Sequence, residues 1–177
     1  ALADLLALAS RKARWPGAPA DEPPMRIGHG YDIHRMDSRE AAGQPVVVAG
    51  GGPIADALIA QVSILGWDVA VETRPDLVEG LTTRLSSADA VVVMGHDVET
   101  SSRCLQVALD SDAGYIGALG SRTMQQARAD WLAYRDVTDL SRVHGPAGLD
   151  IGASTPEEIA VSIVAQIVSV TRHFVND

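Results

Sequence analysis

The sequence predicts an α/β fold, a three-layer sandwich in which one parallel sheet carries helices on both faces. Three observations predict it. From Pro45 onward, short β-branched runs alternate with helix-length segments. The first run, "PVVVAG", is apolar at consecutive positions, which suits a strand covered on both sides. The repeated strand-then-helix order implies right-handed crossovers, and these make neighbouring strands parallel.

The elements follow in order. After "PVVVAG", Pro53 to Leu65 predicts a helix, because Ile54, Leu58 and Val62 recur along one face. "WDVAVET" predicts a second strand and "ADAVVVMG" a third, the latter followed by a helix from about Val98 to Leu109. "AGYIGALG" predicts a fourth strand, with a helix from Arg122 to about Tyr134. The last helix opens at "STPEEIAVSI": Thr155 caps it, Pro156 suits its first turn and Glu158 completes a capping box. Its apolar face is Ile159, Ile163, Val164, Ile167 and Val170.

Composition narrows the function. A 177-residue chain that is 46% hydrophobic but 4% aromatic predicts an aliphatic core of ordinary domain size. Fourteen basic residues against 23 acidic ones give a net charge of −9, which disfavours nucleic acid as a partner. A single cysteine, Cys104, excludes an intrachain disulfide framework and a Cys-rich zinc site, and reads as an apolar filler on its helix. No apolar run approaches 20 residues, so no membrane span is expected, and a reducing cytoplasmic setting is the simplest expectation. Residues 1–24 predict a short helix, Ala1 to Ala13, and a Pro-rich linker. Residues 25–44 are expected to be an extended strand and loop segment, and 45–177 the α/β domain.

Ligands of parallel sheets bind beyond the carboxyl ends of the strands. In "VVVAGGGPIADA", Gly50, Gly51 and Gly52 follow the first strand and Ala55 lies in the following helix. This Gly-x-Gly-x-x-Ala turn is Rossmann-like and can bring backbone N–H groups to face an anion, the alternative being a tight turn that binds nothing. Glu72, about 20 residues on, is placed to accept ribose hydroxyls. The third strand ends in "GHD": His96 can donate a hydrogen bond or carry a proton, and Asp97 reads first as a helix N-cap. The fourth ends in "LGSR": after Gly120, Ser121 is an N-cap. Arg122 stands in the first turn, where the helix dipole disfavours a cation, so it reads as meeting an anionic ligand, with a solvent-facing side chain as the alternative. Asp150, in "GPAGLDIG", reads as fixing its loop through backbone hydrogen bonds, with ligand contact as the alternative. The expectation is that the glycine turn and Arg122 share one pocket for a phosphorylated small molecule.

With those residues quoted, "GGGPIADAL", "ETRPD", "GHD", "YIGALGSR" and "GPAGLDIGASTPEEIAVSIVAQIV" resemble the Rossmann domain of the xanthine dehydrogenase accessory (XdhC/CoxI) family, from about Pro45 to Val170. The resemblance implies a cofactor-binding and insertion protein rather than an enzyme. It would bind molybdenum cofactor (molybdopterin) for delivery to a molybdoenzyme apoprotein, with a cysteine desulfurase as a further partner and a homodimer as its assembly. It implies contacts from Gly50, Gly52, His96, Asp97, Gly120, Ser121, Arg122 and Asp150. Longer family members carry a preceding domain with cysteine-containing motifs, and no equivalent precedes residue 45.

A second resemblance is local. "MRIGHGYDIHRM" is similar to the amino terminus of methylerythritol cyclodiphosphate synthases, where the Asp and His matching Asp32 and His34 contribute to a metal site. That family's "HSD" and "TTTE" segments are missing here, and a catalytic zinc usually takes three protein ligands. Asp32 and His34 are therefore expected to be structural or incidental, and cyclase activity is the weakest alternative. The stronger one is an NAD(P)-binding oxidoreductase. Glu72 permits it and Arg74 could meet a 2′-phosphate, but no Tyr and Lys pair suited to hydride transfer occurs, Lys12 being the only lysine.

Overall fold

The computed structural model describes residues 44–173, so the expectations for residues 1–24, for Asp32 and for His34 lie outside the described residues. Five strands form one sheet in the order β2-β1-β3-β4-β5, every pair parallel. They are β1 (Val46–Ala49), β2 (Val69–Glu72), β3 (Ala90–Val93), β4 (Tyr115–Ala118) and β5 (Val143–His144). The helices are α1 (Pro53–Ile64), α2 (Pro75–Thr82), α3 (Val98–Leu109), α4 (Arg122–Ala133) and α5 (Pro156–His173).

Consecutive apolar residues in the strands reflect helices on both faces. Along β1, Val46 and Val48 join one core with Leu58 and Val62 of α1 and Ile163 and Ile167 of α5. Val47 and Ala49 point the other way, into a core with Val78 of α2, Leu105 of α3 and Leu132 of α4. α1 packs on α5, while α3 packs on both α2 and α4. Full burial of a Leu or Ile side chain stabilises by about 1.5–3 kcal/mol, so these two faces hold the layers together. Cys104 is buried among them, as expected.

Helix starts follow the capping chemistry of the sequence. Asp97 accepts from Thr100 N–H at 2.7 Å, and Ser121 accepts from Met124 N–H at 3.3 Å. At α5 the capping box is reciprocal: Glu158 N–H donates to Thr155 Oγ1 (3.2 Å) and Thr155 N–H to Glu158 Oε2 (3.0 Å). Two elements exceed the sequence reading, α2 and β5. The first is eight residues long with Gly80 inside it, and the second is two residues long, so neither carries a full period of pattern. Among the described residues, no helix is long and apolar enough to cross a membrane.

Candidate functional site

Because all strands run the same way, their carboxyl ends meet at one edge of the sheet. Ala49 is level with Glu72 on one side and Val93 on the other, and Val93 is level with Ala118. The loops that follow β1, β2, β3 and β4 are therefore neighbours in that plane. β1 feeds a helix on one face and β3 a helix on the other, so the chain parts between them at the crevice where such sheets take ligands.

The glycine turn is built for close approach. Gly50 has φ 134°, and a Cβ there would lie 3.0 Å from both the Met94 carbonyl carbon and the Gly95 nitrogen. Only glycine lets the first loop rest on the third. Gly51 and Gly52 are exposed, and Gly52 precedes α1 with φ 111° and no side-chain cap. Ala55 is buried, as the third position of the turn requires for α1 to pack on the sheet. Pro53 removes one N–H from that helix start, and Asp56 adds a negative charge in its first turn.

Glu72 is less free than expected of a ribose ligand. Its Oε1 already accepts from Thr73 N–H (2.8 Å) and Arg74 N–H (3.1 Å), and these bonds lower its pKa. Arg74 is 4.0 Å from the same oxygen. His96 is exposed beside the Asp97 cap. Asp150 is also exposed, and the bonds that hold its loop come from elsewhere: Gly148 N–H donates to Gln166 Oε1 (2.8 Å) and Leu149 N–H to the Ser162 carbonyl (3.2 Å). Loop-fixing thus falls to Gln166 and the α5 backbone rather than to the Asp150 carboxylate. His144 stacks on Tyr115 with ring centroids 5.0 Å apart.

The expectation of one pocket for the glycine turn and Arg122 needs correction. β3 stands between β1 and β4, so the two loops are not on adjacent strands. Arg122 instead lines a cavity of about 280 Å³ with Gln125, Gln126 and Arg128 of α4 and Leu140 and Val143 near β5. Gly50, Gly51 and Gly52 are not part of its lining.

Comparison with known proteins places this architecture. A family model described as the XdhC Rossmann domain matches residues 46–167, more than half of the chain. The chain belongs to the XdhC Rossmann-domain family. It is 28% identical over 161 residues to the uncharacterized protein YqeB of Escherichia coli K12, covering 80% of this chain and 29% of that protein. It is 33% identical over 84 residues to a probable xanthine dehydrogenase component from Bacillus subtilis, covering 48% of this chain and 24% of that one. A crystal structure of a xanthine dehydrogenase from Bacillus halodurans matches with a TM-score of 0.59 at 27% identity, over 74% of this chain and 45% of that chain. The chain thus spans under a third of the length of the two curated relatives.

Within this XdhC Rossmann domain, the residue that sequence reasoning missed is Arg128. It is 1% exposed, and its guanidinium donates to the Gly95 carbonyl (2.6 Å), the Leu119 carbonyl (2.7 Å) and Ser101 Oγ (2.9 Å). One side chain thereby ties the ends of β3 and β4 to the start of α3. In sequence Arg128 looks like one more charge on a polar helix. The available signal was its position four residues before Leu132, on the face of α4 that meets the sheet.

Two predictions arise at these helix starts. Ser121→Ala removes a side-chain cap and is expected to destabilise the domain by about 0.5–1 kcal/mol in urea denaturation, the long bond placing it at the low end. The second concerns pH. Hydrogen bonds from Ser154 and Thr155 N–H hold the Glu158 carboxyl below its ordinary value of 4.5, and Thr100 N–H holds Asp97 below 3.8. Their stabilisation is present above the unfolded-state values and is lost as pH falls through the lower folded ones. The melting temperature should therefore drop on acidification below about 4.5, and less steeply in Glu158→Gln. Parallel pH curves for the two proteins would remove Glu158 from the account.

Proposed function

We propose that this domain binds the phosphorylated organic part of molybdenum cofactor, molybdopterin, and serves the maturation of a xanthine dehydrogenase-like molybdoenzyme. The observation that carries the reading is a cavity along α4, between α3 and β5, lined by two arginines and no acidic residue, in a chain of net charge −9. Such a surface suits a phosphate. The residues present fit the cofactor in this sense. Arg122 would hold its anionic end, His96 could donate to its polar edge, and the bound group would supply the metal centre. The names of the relatives, two of them xanthine dehydrogenase proteins, favour this ligand over others with a phosphate. An apo-molybdoenzyme as client, a cysteine desulfurase as sulfur donor and a homodimer as assembly complete the proposal.

The alternative, an NAD(P)-binding oxidoreductase, relies on Glu72 for the ribose. Its Oε1 is already engaged by two backbone N–H groups, which makes that role less available. Mass spectrometry of small molecules released from the protein purified from its own host tests the choice. Molybdopterin or its breakdown products are the expected finding. NAD(P) in their place, or tight NAD(H) binding without molybdopterin binding in titration, would reject the accessory reading.

A further inference from the structure

We propose that the anion-binding subsite is the cavity between α3, α4 and the β5 segment, with Arg122 at its mouth and Arg128 in its wall, rather than the glycine turn after β1. The ligand class is a phosphate or pyrophosphate ester of a flat organic group. The identity of that group rests on the function proposed above, whereas the anion site itself does not.

Three independent features of the molecule converge on this place. The first is charge. None of the residues lining the cavity is acidic, although acidic residues outnumber basic ones by 23 to 14 in the chain. The nearest acidic neighbour on α4, Asp130, is exposed and accepts from Gln126 Nε2 at 2.8 Å.

The second is Arg128. All its hydrogen-bond partners are neutral: two carbonyl oxygens, Ser101 Oγ, and Gln125 Oε1 at 3.4 Å. Among the described residues no carboxylate pairs with it within ion-pair distance. A buried cation with no counter-charge is costly, and an anion held in the cavity that Arg128 helps to line would offset part of that cost. The Leu119 carbonyl it grips precedes Gly120, and a Cβ at Gly120 would lie 3.6 Å from Arg128 Nη1. The guanidinium therefore lies directly beneath the β4 tip.

The third is the contrast with the other helix starts. The first turns of α1, α2, α3 and α5 carry Asp56, Asp76, Glu99, and Glu157 with Glu158. That of α4 carries no acidic residue and begins with Arg122. An anion at the glycine turn would face Asp56 and one fewer N–H, because Pro53 has none. The cavity volume also limits the occupant. At about 280 Å³ it falls just below the range of sites that enclose a drug-sized ligand, so it takes one end of the molecule. Leu140 and Val143 give that end an apolar wall to lie against.

Calorimetric titration with inorganic pyrophosphate tests the assignment. The unmodified chain should bind it. Arg122→Ala should weaken binding by roughly 10–100-fold, the loss of a charge-assisted hydrogen bond, and Gln126→Glu, which places a carboxylate in the wall, should weaken it as well. Both positions are exposed, so the fold is expected to survive, as circular dichroism will verify. Gly51→Asp puts a negative charge on the competing turn without a clash, since nothing lies within 4 Å of its Cβ position. It should change pyrophosphate affinity by no more than about twofold at 0.15 M salt, where the Debye length is about 8 Å. No binding by the unmodified chain, an unchanged Arg122→Ala, or a Gly51→Asp loss as large as that of Arg122→Ala would each overturn the assignment. Binding with the expected pattern but without molybdopterin in the purified protein would leave the subsite standing and remove the proposed cofactor.

Discussion

Arg128→Ala is expected to destabilise the domain by about 3 kcal/mol in chemical denaturation. The substitution strips the Gly95 and Leu119 carbonyls and Ser101 Oγ of their shared donor and leaves a void beneath the β4 tip. Charge-assisted bonds contribute roughly 1.5–3 kcal/mol each, but removing a cation that burial already disfavours returns part of the loss. The direction of its pKa shift, downward through desolvation, agrees with that partial relief. Arg128→Lys keeps the charge, but one ammonium on a flexible stem cannot span three acceptors, so it should rescue only part of the stability. An alanine variant as stable as the parent would show that the guanidinium holds nothing in place.

Gly114→Ala is the second large effect, also about 3 kcal/mol. Gly114 lies just before β4, its N–H donating to the Ser86 carbonyl at 3.2 Å. A Cβ there would collide with the Ser87 carbonyl oxygen and lie 2.6 Å from its carbon. Both are backbone atoms and cannot swing aside. They belong to a turn held by Asp89, whose Oδ2 accepts from Ser86 N–H (2.6 Å) and Ser86 Oγ (2.8 Å). The methyl must therefore push the entry of β3 away from that of β4, at the sheet edge opposite the candidate site. Ligand binding should survive in whatever fraction stays folded, and a lowered denaturation midpoint with unchanged pyrophosphate affinity is the expected signature. A midpoint equal to that of the parent would mean the turn yields easily.

Much of the fold was legible because β1, β3 and β4 carry unbroken apolar runs, and because Asp97, Ser121 and Thr155 mark helix starts in local sequence. Capping and strand burial are short-range consequences of residue type, and both read directly. The helix α2 and strand β5 were too short for periodicity to show. The site was legible in its parts and not in its grouping. Gly50, Ala55, Asp97 and Ser121 do what their local chemistry requires. Which loops share a cavity depends on strand order, and nothing local says that β3 is inserted between β1 and β4. Arg128 was hidden for the same reason: Ser101 and Gly95 are 27 and 33 residues away, and the Gly95 and Leu119 acceptors are backbone oxygens with no residue-type signature.

The Arg128 guanidinium has a consequence for motion. Loops over a sheet edge ordinarily fluctuate independently, each at its own rate. Here the segments after β3 and β4 are fastened to one rigid planar fork, so neither can swing outward without drawing on bonds that restrain the other. Their excursions should be synchronous, a single concerted breathing event in place of two separate ones, and a molecule seated at either segment would quiet both.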